Sequence, residues 1–209
     1  METVLAPLAY GGSLTLWAYL AQAKSIVVEK HDHYQKQTQR NRQYIHGANG
    51  KLLLSIPIKH LGKEGYQHYK TVAIDNSFPW QAQHWKSLQT AYRSSPYFEF
   101  YEDAIYPSYQ KNFTSLYEFN TSLFEVLKGL IGIETPFLFS EKYNPHPQHL
   151  DVRSVLEVKK QSEVAAVTYT QVFEEKNGFI PNLSVLDLLF NVGPESLGLL
   201  KHCPLPKKV

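Results

Sequence analysis

A single cysteine, Cys203, stands among 209 residues. It cannot close an internal disulfide and offers no set of thiolates for zinc, which excludes a disulfide-stapled scaffold and a cysteine-built structural metal site. Long apolar runs are missing too. No stretch approaches the roughly 18 to 20 uncharged apolar residues that cross a bilayer, so no integral membrane segment is expected. Excess charge is also absent: 21 Lys and Arg against 19 Asp and Glu leave a net +2. A nucleic-acid binder normally shows a strongly basic face, so nucleic acid is not expected as a partner and any basic function must be local. The opening Met1-Glu2-Thr3 has no basic n-region, and residues 14–23 are followed by no convincing secretory cleavage signal, so export is not expected and a reducing cytoplasm is the expected location. There are no internal repeats and no low-complexity segments.

What is present suits a buried core. With 43% hydrophobic residues, including 14 Tyr, 11 Phe and three Trp, the chain can fill one domain over residues 1–203, leaving 204–209 as a basic tail. Aromatic richness alone is better explained by packing than by sugar or base stacking.

The order of signals predicts an α/β fold, with a mixed or mainly parallel sheet and flanking helices. Val4-Leu5-Ala6 reads as a strand, Tyr10-Gly11-Gly12-Ser13 as a loop ending in an N-cap, residues 14–23 as a helix and 25–29 as a second strand, which together open a βαβ-like unit. Residues 52–58 read as another strand and 72–75 as a short one, with a loop of no clear period, expected to be mobile, over 59–70. A helical insertion follows in the middle, over 81–93, 99–105 and 113–130, the last carrying the apolar stripe Leu116, Phe119, Leu123, Leu127 and Leu130. Residues 137–140 suit a strand, 149–160 a helix and 164–169 a strand.

The most informative segment is Lys36-Gln37-Thr38-Gln39-Arg40-Asn41-Arg42, directly after the strand that ends in Glu29. In an α/β sheet the loop after a strand lies at the carboxyl edge, where ligands usually bind. Arg40 and Arg42 could fork onto phosphate or carboxylate oxygens, with Lys36 as a mobile point charge and Asn41 as a neutral partner. The alternative is a solvated loop, or structural ion pairs with Glu29 or Asp32. His84, flanked by Trp80 and Trp85, is a candidate acid or base, or else a hydrogen-bonded core histidine. Asp187 and Asn191 fall on one side of a helix that Gly193-Pro194 ends before Glu195; they could orient a base or a sugar hydroxyl, or serve as an ion pair and caps. Gly11-Gly12-Ser13 lacks the full dinucleotide fingerprint, so no cofactor is named. His31 and His33, like His146 and His149, lack companion ligands, and no metal is expected. The sequons at Asn112 and Asn120 are set aside for a cytoplasmic chain.

Several separated motifs together resemble the WbqC-like family. They are Lys36 with Arg40-Asn41-Arg42, then Leu54-Ser55-Ile56-Pro57-Ile58, then Trp80 and His84-Trp85 before Ala91-Tyr92 and Pro96-Tyr97-Phe98, and last the run from Leu183 through Asp187, Asn191 and Gly193-Pro194 to Glu195. The chain departs from the family at its start. A histidine-glutamine-proline element and a leucine-proline-tryptophan turn are usual there, whereas Leu5-Ala6-Pro7-Leu8-Ala9-Tyr10 keeps only Pro7. What the resemblance implies is a link to O-antigen or other bacterial surface-polysaccharide assembly. The expected activity is a transferase acting on a nucleotide-linked or lipid-linked sugar, of acyl or aminoacyl type. Lys36, Arg40, Asn41, Arg42 and Asn191 would hold an anionic small-molecule or carrier-linked substrate. His84 would act as base, and Asp187 and Glu195 would position the base or the acceptor. The alternative is a non-catalytic anionic-ligand-binding or scaffold protein of the same pathway.

Overall fold

Strand alternation and one helical crossover build the half of the molecule that matters most for a site. A computed structural model describes residues 2–59, 67–157, 164–165 and 167–206. Strand β1 (Thr3–Pro7) leads through α1 (Leu14–Gln22) to β2 (Ser25–Glu29), which pairs with β1 in parallel from Thr3↔Ser25 to Pro7↔Glu29. The chain then forms an antiparallel hairpin, β3 (Arg42–Gly47) and β4 (Gly50–Ser55), closed by Ala48 and Asn49. Three helices follow: α2 (Trp80–Tyr92), α3 (Phe98–Gln110) and α4 (Leu116–Ile131). Strand β5 (Phe137–Phe139) then pairs in parallel with β2, and β6 (Leu150–Asp151) with β1. The order of the four-stranded parallel sheet is β5-β2-β1-β6. The chain ends with α5 (Glu174–Asn177), α6 (Val185–Val192) and α7 (Ser196–His202).

Register and alternation settle which face is covered. Val4, Ile26 and Phe137 lie side by side, and Phe137 meets Phe124 of α4, which stacks in turn on Trp17 of α1. Residues one position along point the opposite way. Leu5, Val27 and Leu138 share that second face, with Leu5 buried and Leu138 73% exposed at the sheet edge.

Two of the separated sequence motifs pack on one another. Tyr97 donates its backbone N–H to the carbonyl of Phe190 at 3.0 Å, and the rings of Tyr92 and Phe98 lie 5.1 and 5.0 Å from that of Phe190. Gly193 has φ +62°, and a Cβ there would come within 2.5 Å of the Tyr97 ring. Only glycine meets both conditions.

Some elements differ from the sequence expectation. The strand expected over 52–58 runs from Gly50 to Ser55 and belongs to a separate hairpin, and its partner β3 begins inside the basic stretch. Residues 72–75 make only isolated bridges, Ile58↔Ile74 and Ala73↔Ser115. The middle helices start or end a few residues away from their expected bounds. The expected helix over 149–160 is instead β6 and a 3-10 turn, Arg153–Leu156, because β1 recruits Leu150 and Asp151 as strand partners; 158–160 lie outside the described residues. The expected strand over 164–169 is irregular where described. Most of the loop expected to be mobile, 60–66, and the tail 207–209 also lie outside them. Ser13 occupies the N-cap position of α1 but makes no side-chain cap bond.

Candidate functional site

In a parallel sheet the loops that follow the strands gather at one edge, and ligands favour the point where strand order reverses. Here β2 and then β5 add on one side of β1, and β6 on the other, so the reversal lies between β1 and β6. The connections after β1, β2, β5 and β6 meet at this carboxyl edge.

A buried ionic frame holds it. Arg40 is only 1% exposed; its guanidinium pairs with Asp32 and donates to Thr38 Oγ1 at 3.2 Å. Asn120 of α4 donates to the Arg40 carbonyl at 2.6 Å and to the Tyr69 hydroxyl. Glu29 is buried beside it, accepting from the His31 N–H at 2.7 Å, from the Ser140 hydroxyl at 2.7 Å and from Arg153 at 3.5 Å. Arg153 also forks onto Asp151 and donates to the Asn144 carbonyl at 3.0 Å. Asn41 is buried too, accepting from the Tyr34 hydroxyl at 3.0 Å and donating to the Ile56 carbonyl at 2.9 Å. Arg42 is half-buried and Lys36 exposed, and neither is in an ion pair among the described residues. Arg42 lies close enough to Tyr34 to oppose the upward pull of burial on that phenol. Three nitrogens, Arg40 Nε, Arg42 Nε and His31 Nε2, are buried with no partner among the described residues, an uncommon condition for polar atoms.

A second cluster lies under the loop that follows β1. The Tyr10 hydroxyl is 2.9 Å from His84 Nδ1 and 3.2 Å from the Tyr109 hydroxyl, which accepts from Gln43 at 3.4 Å. His84 is 7% exposed, with Trp80 edge-on at 5.3 Å, and burial pushes its pKa from 6.5 down to about 4. Burial likewise drives the Tyr10 phenol well above its ordinary range. The Tyr10 N–H reaches the Gln39 carbonyl at 2.9 Å, which ties this cluster to the frame around Arg40.

Asp187 belongs to a third cluster. It is wholly buried in the first turn of α6 and accepts from Tyr92 at 2.6 Å, Tyr169 at 2.5 Å and Gln171 at 3.1 Å. Gln171 continues to His46 Nδ1 at 3.1 Å. Burial raises the Asp187 pKa despite these donors. Tyr92 is eight residues beyond His84 on α2, roughly 12 Å at 1.5 Å per residue. Asn191 spends its amide on the Asp187 carbonyl at 2.7 Å and borders an open cleft of about 790 Å³ with Ser94, Gln171 and Glu175. Glu195 is exposed in a different cleft, of about 680 Å³, lined by Thr168, Leu199 and His202. The structure therefore brings Arg40, Asn41 and Arg42 together and links His84 to them through Tyr10. It sets Asp187 with Asn191, and Glu195, apart.

Asn120, Arg153, Tyr143 and the His33–His68 pair were not singled out by sequence as parts of one site. The Asn120 sequon is buried and bonded, and the N-terminus of α1 is filled by the chain itself, through Leu14 N–H to the Leu183 carbonyl at 3.0 Å and Thr15 N–H to Asn182 Oδ1 at 2.9 Å. No group of three His, Cys, Asp or Glu among the described residues is arranged to hold a metal ion, and no helix there is long and apolar enough to cross a membrane.

These features define an α/β protein with a polar cluster at the carboxyl edge of a small parallel sheet. The chain belongs to the WbqC-like protein family, which matches it over residues 13–167 and 156–198. It is also similar to the "Uncharacterized protein Rv1507c" of Mycobacterium tuberculosis, 26% identical over 81% of this chain and 84% of that protein. No solved structure matches it.

Proposed function

We propose that the chain is a transferase of bacterial surface-polysaccharide assembly, acting on a nucleotide- or lipid-linked sugar in the cytoplasm and holding the anionic part of that substrate at the carboxyl edge of the sheet. The observation that carries this reading is the pairing state of the cations there. Arg40 is committed to Asp32, whereas Lys36 and Arg42 are in no ion pair among the described residues. Arg40 and Asn41 are thus the frame and Arg42 with Lys36 the ligand contacts. In an acyl or aminoacyl transfer, an acceptor hydroxyl attacks the acyl carbon, the donor's bond to its leaving group breaks and the hydroxyl proton passes to a base. His84 is the proposed base, acting through Tyr10. Asp187, Asn191 and Glu195 would contribute through the fold or through acceptor contacts in their own clefts.

The second reading, a non-catalytic binder or scaffold, is favoured by one observation: a histidine held near pKa 4 and 7% exposed accepts protons poorly at neutral pH. A thermal-shift titration with nucleotide sugars, acyl carriers and inorganic phosphates tests what the two readings share. A specific ligand raises the melting temperature as its concentration passes its Kd, by about 2.7 kcal/mol of stabilisation at 100 Kd. Arg42→Ala should abolish that shift, and an undiminished shift in Arg42→Ala would sink the site. With a ligand in hand, His84→Ala separates the readings: turnover falls about 10²-fold or more for a base and ligand affinity stays unchanged for a binder.

A further inference from the structure

A ladder of rings crosses the same edge. The Arg153 guanidinium carbon lies 4.9 Å from the centre of the Tyr143 ring. Tyr143 stands edge-on to His33, with centroids 5.6 Å apart at 71°, and His33 stacks on His68 at 5.0 Å and 28°. Backbone bonds fix the two histidines on facing segments: His33 and His68 form a bridge, the Tyr34 N–H reaches the Gln67 carbonyl at 2.8 Å, and the Tyr69 N–H reaches the Asp32 carbonyl at 2.9 Å. His68 and Tyr143 are exposed and His33 is half-buried, so the ladder lies where a ligand can reach it. Cations border it. Lys30 is anchored by its N–H to Ser140 Oγ at 3.0 Å, and Lys70 follows Tyr69. Lys70 lies one residue beyond the Tyr69 N–H that bonds the Asp32 carbonyl, and desolvation together with the Lys30 charge holds it below its ordinary pKa. Neither is in an ion pair among the described residues.

Flat heteroaromatic faces beside clustered ammonium groups suit a ligand with a planar ring and a polyanionic chain. We propose that this ladder is a nucleoside-diphosphate subsite, the base stacking on the outer face of His68, which His33 backs from the other side, and the diphosphate held by Lys30 and Lys70. The inference rests on the anion-site reading above and narrows it from a nucleotide- or lipid-linked substrate to a nucleotide-linked one. The rings are imidazoles and a phenol, polar partners for a base and poor ones for an isoprenoid chain.

Isothermal titration of the full chain with UDP, ADP, inorganic pyrophosphate and farnesyl diphosphate tests it. The expected result is that UDP or ADP binds at least about tenfold more tightly than pyrophosphate. His68→Ala should weaken the nucleotide roughly 5- to 150-fold, as loss of one base–aromatic stack does, and leave pyrophosphate unchanged. Lys70→Ala should weaken both. The two positions are exposed, and an unchanged melting temperature will certify the variants' folding. Pyrophosphate binding as tightly as UDP and ADP, with His68→Ala silent, would overturn the stacking subsite, as would farnesyl diphosphate binding more tightly than either nucleotide. Both outcomes leave the anion site standing. Failure of all four compounds to bind would remove the anion site together with the subsite.

Discussion

His84 shows how one residue can be read from its surroundings. Free histidine titrates near neutrality, but burial beside Trp80 lowers this one from 6.5 to about 4. Between those values the unfolded chain binds a proton that the folded chain refuses, so the native state is at no disadvantage above pH 6.5 and loses stability as pH falls toward 4. The loss approaches about 3 kcal/mol at the acid end. His84→Gln, which can still bond Tyr10, should flatten that limb when urea unfolding is compared at pH 7 and pH 4.5. A wild-type slope in the variant would place the acid sensitivity in another group. Arg40 makes the opposite point. In the sequence it is one of three cations in a run of seven; in the fold it is an internal strut. Removing one partner of a buried pair typically costs 3 to 5 kcal/mol, so Asp32→Ala should destabilise the protein by about that much and Lys36→Ala by under about 0.5, both read from denaturant midpoints. Equal effects at the two positions would contradict the division into frame and ligand contact.

At the scale of elements, the strong periodic segments were legible and the pairings were not. The stripe of α4 and the opening strand, helix and strand follow from local pattern, because their apolar residues repeat at the period of the element they form. Strand β3 was missed although Asn49-Gly50, a hairpin signal, sits between Tyr44-Ile45 and Leu52-Leu53-Leu54. The basic residues just before it have the composition of a loop. Strand β6 is two residues long and exists because Val4 and Leu5 pair with it; nothing local announces it. In the candidate site, an ion pair of the basic stretch with Asp32 was one of the readings of the sequence, but that Arg40 makes it was not legible, nor was the bond from Asn120 to the Arg40 carbonyl, 80 positions apart. The end of α6 is a place where a motif and its reason coincide. Gly193→Ala combines a disfavoured φ with a clash against Tyr97, and should cost roughly 2 kcal/mol or more, measurable as a drop in the unfolding midpoint. Gly198→Ala, where a Cβ meets nothing within 4 Å, serves as the mild control.

The whole molecule joins a parallel sheet, an antiparallel hairpin and a helical layer through buried polar networks. Asp187 ties α6 to α2 and to the segment around Gln171, and Arg40 ties the loop after β2 to α4. Such networks fix relative positions; Arg40 Nε and Asn120 Oδ1 keep no partner among the described residues, and Lys36, Arg42 and the ring ladder remain at the carboxyl edge. The central claim is that this edge, rather than either open cleft, holds the ligand. Amide hydrogen exchange, with and without the compound that gives the largest thermal shift, locates the site directly. The ligand at this edge should add protection in residues 30–42, 67–71 and 140–144, with little change elsewhere. Protection confined to the clefts around Glu195 and His202 or around Ser94 and Asn191, with the carboxyl edge unaltered, would contradict it.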